Sequence, residues 1–136
     1  MGRALYLDTS AILRATLEEG TDSKIERQIE ASEKLVTSRL TLVESSRALL
    51  RVRRTADVLQ TRLVDVERQL HTILDRCDVW ELTAEVCDMA SRIAPTKNLR
   101  TLDALHLATF IQARRRMEDL EILTADARLQ DAAAGA

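Results

Sequence analysis

Apolar positions along the chain alternate between short unbroken runs and longer stretches in which they recur every three or four residues. The runs at 4–7, 35–37, 79–82 and 121–124 have the length and composition of β-strands. Between them, the spacing predicts helices over 10–17, 23–32, 41–53, 58–77, 84–94, 101–117 and 127–133. Strands alternating with helices make βαβ units, so the fold class is α/β: a parallel sheet of about four strands flanked by helices. The stretch 41–77 holds two successive helices with no strand between them, which predicts a helical hairpin projecting from the sheet. That hairpin carries Leu49, Leu50, Val52, Leu59, Leu63, Val66 and Leu70, more apolar surface than one small sheet is expected to cover. Part of it should therefore pack against a second copy or another protein. Pro95 and the polar run Thr96-Lys97-Asn98 break the chain before the helix that opens near Thr101. Nothing in the pattern marks a linker or a repeat, so one domain, 1–136, is expected.

Four acids stand out against this pattern, each placed where a strand gives way to a helix. Asp8 ends the run Ala4-Leu5-Tyr6-Leu7, and Glu44 lies in the first turns of the helix after Lys34-Leu35-Val36-Thr37. Asp103 opens the helix Thr101-Leu102-Asp103-Ala104-Leu105-His106, and Asp126 follows Glu121-Ile122-Leu123-Thr124. In a parallel sheet these positions share one edge, where α/β proteins place their sites. Four carboxylates in one crevice repel unless a cation joins them, so the arrangement points to a divalent metal. Each acid alone has an ordinary explanation. Asp8 and Asp126 suit helix N-caps, and Glu44 stands three residues after Thr41, the spacing of a capping box. Asp103 fits that account least, because it shares a helix face with His106, Leu107 and Phe110, and a carboxylate on an apolar face is costly without a counter-charge. Ser10 and Thr124 adjoin two of the acids and suit the orientation of ligands or waters. His106, on the same apolar helix, reads as a packed or supporting residue rather than a general base, and His71 as a surface residue.

Composition narrows the classes further. Hydrophobic residues make up 46% and charged residues 31% of the 136, a globular balance. No apolar run approaches the ~20 residues of a membrane span, and the chain enters its first strand with no signal-peptide core, so a cytoplasmic protein is expected. None of the three glycines follows a strand and opens a helix, which excludes both the dinucleotide fingerprint and the phosphate loop. Cys77 and Cys87 form no Cys-x-x-Cys pair and read as reduced, partly buried thiols. The net charge of −2 conceals arginine clusters at Arg47, Arg51, Arg53 and Arg54 and at Arg114, Arg115 and Arg116, whose planar forks suit phosphate. Aromatic residues are too few for a base-stacking platform.

The segments Leu7-Asp8-Thr9-Ser10-Ala11, Leu42-Val43-Glu44, Leu102-Asp103-Ala104-Leu105-His106-Leu107-Ala108 and Leu123-Thr124-Ala125-Asp126 together resemble a PIN domain. In length and layout the chain is similar to the VapC toxins of toxin–antitoxin pairs, and the resemblance spans essentially all of it. It implies a Mg²⁺- or Mn²⁺-dependent endoribonuclease that is dimeric and is inhibited by a cognate antitoxin protein. Asp8, Glu44, Asp103 and Asp126 match the family's acidic quartet, with Asp8 and Asp103 as the principal metal ligands and Glu44 and Asp126 as further ones. Ser10 and Thr124 match its polar accompaniments. On that reading the arginine clusters would hold the RNA backbone. Two other readings compete. A PIN-like module that binds without cleaving has no reason to keep four repelling acids. A receiver-type phosphoacceptor domain would need an Asp ending the third strand and a suitably placed Lys, whereas the chain offers Glu81-Leu82-Thr83 there and lysines only at Lys24, Lys34 and Lys97.

Overall fold

Ala4–Leu7 is apolar at every position and forms β1, a strand buried on both faces. Such a strand belongs inside a sheet covered by helices on both sides. In the computed structural model, which describes residues 2–18, 20, 22–55 and 60–136, that is its place. The elements follow as β1 (Ala4–Leu7), α1 (Thr9–Ala15), α2 (Ser23–Ala31), β2 (Lys34–Ser38), α3 (Arg39–Arg54), α4 (Gln60–Asp75), β3 (Cys77–Trp80), α5 (Ala84–Ala90), α6 (Thr101–Arg114), β4 (Glu121–Leu123) and α7 (Ala127–Ala134). The four strands pair in the order β3-β2-β1-β4, all parallel. Every expected strand and helix is present, and the architecture is the α/β fold with a parallel sheet that the apolar pattern predicts.

Strand alternation divides the core into two layers. Ala4, Tyr6 and Val36 point to the face covered by α6 and α7, where they meet Leu107, Phe110 and Leu129. Leu5, Leu7 and Leu35 point to the other face and meet Ile12, Ile25, Ile29 and Leu70 of α1, α2 and α4. α6 is buried at Ala104, at every position from His106 to Phe110 and at Ala113, which is why its sequence shows no polar stripe.

Two expectations need correction. The third strand lies at Cys77–Trp80, two residues earlier than expected, because pairing with β2 (Leu35 opposite Cys77, Ser38 opposite Trp80) sets its register. The pair α3 and α4 is less bare than its apolar content suggests. Leu49, Leu63 and Val66 form a small cluster with Leu17 and Val52, and Leu70, Ile73 and Leu74 return to the sheet layer. Of the hairpin's seven apolar residues only Leu50 is well exposed, while Leu59 lies outside the described residues, as does the expected helix start at Val58. Among the described residues no helix is long and apolar enough to cross a membrane.

Candidate active site

The register aligns Leu7 with Leu123, so Asp8 and Thr124 leave the carboxyl ends of β1 and β4 side by side. β1 connects onward to β2 on its other flank, which makes the β1–β4 seam a topological switch point, the usual crevice of an open parallel sheet. Asp8 is 4% exposed. Its Oδ1 caps α1 by accepting from the Ala11 N–H at 3.0 Å. Ser10 Oγ donates to both carboxylate oxygens, at 2.8 and 2.9 Å, and Thr124 Oγ1 donates to Oδ2 at 2.7 Å. Two further bonds tie the strand ends together: the Ala125 N–H donates to Ser10 Oγ at 2.9 Å, and the Asp126 N–H to Thr124 Oγ1 at 3.0 Å. Even so, burial pushes the Asp8 carboxyl above the usual range, against the opposing pull of Thr124, His106, Ser10 and the Ala11 amide. The donors fix the group in place without offsetting its loss of water.

Glu44 reaches the same edge from α3. The helix begins at Arg39, with Ser38 as its N-cap accepting from the Leu40 N–H, so Thr41 is an interior residue and no capping box forms with Glu44. Glu44 Oε1 instead accepts from Thr9 Oγ1 at 2.6 Å and from His106 Nε2 at 2.8 Å. Half-burial raises its carboxyl, but these two bonds, with the charges of His106 and Arg51, bring it below the ordinary value. His106 is buried, and its Nδ1 lies 2.9 Å from the Tyr6 hydroxyl. Asp126 caps α7 through Oδ1, accepting from the Arg128 and Leu129 N–H groups at 2.8 and 3.4 Å.

Asp103 arrives differently. It does not follow a strand: residues 91–100 lead from α5 into α6, and Asp103 sits in the first turn without being the cap, a position Arg100 holds with no side-chain bond. It is partly buried rather than fully so, yet its Oδ2 is enclosed with no hydrogen-bond partner among the described residues. Its carboxyl is raised, first by burial and then by the negative charge of Asp126, and is drawn down less strongly by Arg100 and His106. Beside it an open cleft of about 650 Å³ is lined by Glu44, Leu99, Arg100, Thr101, Leu102 and Asp103. Two of the expected acids thus share one cleft, a third raises Asp103 electrostatically, and Asp8 stands at the adjoining seam. No three Asp, Glu, His or Cys side chains among the described residues form a group compact enough to enclose an ion as they stand. An ion here would be held by a few carboxylate oxygens and water, the manner in which Mg²⁺ is commonly bound.

Ser10 lies on Asp8 as expected, whereas Thr124, expected beside Asp126, accepts from the Asp126 N–H and donates across the seam to Asp8. Sequence reasoning gave no role to Tyr6 or Thr9, whose partners His106 and Glu44 stand far away in the chain and leave no local signal. The second arginine cluster lies away from this edge. Arg115 is roughly 18 Å along α6 from Asp103 at 1.5 Å per residue. Arg114 and Arg116 lie over Phe110 and Trp80, and Arg115 bonds Gln112. Of the thiols, Cys87 is exposed rather than partly buried, while burial pushes the Cys77 thiol up to about 12.

Known proteins agree with this architecture. The family model for the PIN domain matches residues 5–135. Ribonuclease VapC46 of Mycobacterium tuberculosis is 34% identical over 131 residues, covering 96% of this chain and 90% of its own. Among solved structures, PAE2754 of Pyrobaculum aerophilum superposes with a TM-score of 0.68 at 23% identity, over 98% of this chain and 82% of its own. A toxin–antitoxin complex from Klebsiella pneumoniae does so at 0.60 and 17% identity, over 92% and 88%. The chain belongs to the PIN-domain family, in its VapC ribonuclease branch.

Proposed function

We propose that this chain is a divalent-metal-dependent endoribonuclease and the toxin of a toxin–antitoxin pair. The observation that carries the reading is the contrast at the sheet edge: Asp8 is clamped by three donors yet raised by burial, and Asp103 keeps an enclosed oxygen with no partner among the described residues. Such oxygens suit a hard cation, and the set contains no sulfur and no free imidazole that would favour a softer metal. Asp8 and Asp103 would hold Mg²⁺, or Mn²⁺ in its place, with Glu44 and Asp126 completing the acidic pocket. When bound, the ion supplies activation of water and neutralises charge building on the phosphodiester oxygens. Ser10 and Thr124 keep the Asp8 carboxylate in one orientation, so no rotamer freedom is lost when the ion arrives. Thr9 does the same for Glu44. Arg47 and Arg51 occupy the face of α3 that carries Glu44, three and seven residues on, and would draw RNA phosphates toward the cleft.

The antitoxin and the homodimer belong to the same proposal. Supporting the first are relatives named Ribonuclease VapC and a fold neighbour described as a toxin–antitoxin complex. The test is cleavage of single-stranded RNA by purified protein, with Asp8→Asn prepared in parallel. Cleavage is expected with Mg²⁺ or Mn²⁺, none in excess EDTA and none with Asp8→Asn. Undiminished wild-type cleavage in EDTA would sink the metal dependence, and no cleavage under any condition would favour a module that only binds.

A further inference from the structure

Behind the acidic edge a buried polar chain runs from β1 through α6 to α3. Tyr6 is fully enclosed and His106 is 3% exposed, so neither can exchange its partner for water. The Tyr6 hydroxyl meets His106 Nδ1 at 2.9 Å, and His106 Nε2 meets Glu44 Oε1 at 2.8 Å. Thr9 Oγ1 lies 2.6 Å from the same Glu44 oxygen and 3.3 Å from Nε2. The donor count places a proton on Nε2. The Glu44 carboxylate can only accept. Thr9 has one proton, and the short bond gives it to Glu44. His106 Nε2 must then be protonated to approach both oxygens. The other ring nitrogen, Nδ1, is held by the Tyr6 hydroxyl at 2.9 Å.

We propose that His106 is a positioning residue: held at Nδ1 by the Tyr6 hydroxyl, its ring fixes the carboxylate of Glu44 through Nε2 in the orientation the metal site uses. The assignment rests on the nuclease reading and deepens it. A residue needed only to fill the core would be served by an apolar side chain, since burying an imidazole between two apolar layers is costly unless its bonds are used. Here the Nε2 bond leads directly to Glu44, a residue of the cleft. Partners that orient a metal-binding carboxylate typically change metal affinity or activity about 10–100-fold when removed.

Three measurements test it. A long-range ¹H–¹⁵N spectrum of the wild type should show a proton on His106 Nε2, and a ring protonated at Nδ1 alone would overturn the proposal. Mn²⁺ affinity, read calorimetrically in the absence of RNA, should fall about 10-fold in His106→Gln and less in Tyr6→Phe, which keeps the ring and removes only the hydroxyl. In a Glu44→Gln background, adding His106→Gln should change Mn²⁺ affinity little, because the route through Glu44 is already lost. Equal losses in both backgrounds would mean His106 does not act through Glu44. Cleavage should lose kcat with KM nearly unchanged. Wild-type Mn²⁺ affinity and kcat in folded Tyr6→Phe and His106→Gln, with only the melting temperature lowered, would make the histidine a packing residue and leave the nuclease reading intact. A wild type that neither binds Mn²⁺ nor cuts RNA would overturn both.

Discussion

Asp103 differs from its three acidic neighbours in having no structural employment for its enclosed oxygen. Asp8 and Asp126 each cap a helix, and Glu44 takes bonds from Thr9 and His106. Asp103 Oδ2 has no partner among the described residues, and Asp126 adds a like charge. Asp103→Asn keeps the shape and removes one repelling charge, so metal-free protein should melt roughly 1–3 °C higher, a small gain because the group is partly solvated. With Mg²⁺ the order should reverse, since an ion at 100 times its dissociation constant stabilises the wild type by about 2.7 kcal/mol and the variant binds it poorly. Cleavage should be abolished. The pH dependence has a definite sign. Burial raises the folded values of both Asp8 and Asp103, so the folded state holds those protons more tightly than the unfolded chain does. Their destabilising contribution is fully present above the folded values and is relieved as pH falls through them, while Glu44, shifted down, contributes in the opposite sense. Melting curves of metal-free wild type and Asp103→Asn between pH 8 and mild acid should therefore show a shallower gain on acidification in the variant. Parallel pH profiles, and identical melting with and without Mg²⁺, would mean that Asp103 neither titrates abnormally nor holds an ion.

At the scale of elements, the alternation of apolar runs carried enough information to order every strand and helix, because β1 and β2 are buried on both faces and α6 nearly all round. The same logic brought Asp8 and Asp126 to one sheet edge. What local pattern could not supply was anything decided by a distant partner. The register of β3 depends on β2, where Leu35 meets Cys77. The roles of Tyr6 and Thr9 depend on a histidine about a hundred residues away and a glutamate on α3. The arginines show the same limit, since the two clusters look alike in sequence and differ in place. Arg114, Arg115 and Arg116 already meet Phe110, Gln112 and Trp80 at the far end of α6, whereas Arg47 and Arg51 share the face of Glu44. Arg47→Gln and Arg51→Gln should each raise KM for RNA several-fold and lower the salt dependence of binding by about 0.7, the slope expected for one phosphate contact on a single strand. Arg115→Gln and Arg116→Gln should leave both unchanged. If the second pair alone moved KM, the RNA path would run along the opposite end of the molecule.

For the whole molecule, the question is which apolar surface is left after the two core layers and the α3–α4 cluster are filled. Most of the surplus expected on the hairpin is covered within the chain, since Leu49, Leu63, Val66 and Leu70 are all buried. Val43 and Leu50 are not: they are 55% and 44% exposed and lie seven residues apart on one stripe of α3. Leu102 is 47% exposed at the mouth of the cleft it shares with Glu44 and Asp103. Isolated exposed apolar residues need no explanation, but a stripe on a helix that also presents a site residue suits a partner. The expected partner is a second copy of this chain, because a twofold contact buries the same stripe from both sides. Wild type should sediment as a dimer at micromolar concentration, with a melting temperature that rises with protein concentration. Val43→Glu combined with Leu50→Glu should give a folded monomer, whereas Val64→Glu, an equally exposed change on α4, should leave the dimer intact. The comparison separates loss of an interface from a general loss of apolar surface. A wild type that stays monomeric at all accessible concentrations would rule out self-association through this stripe. A dimer lost with Val64→Glu and kept in the α3 double variant would move the interface to α4.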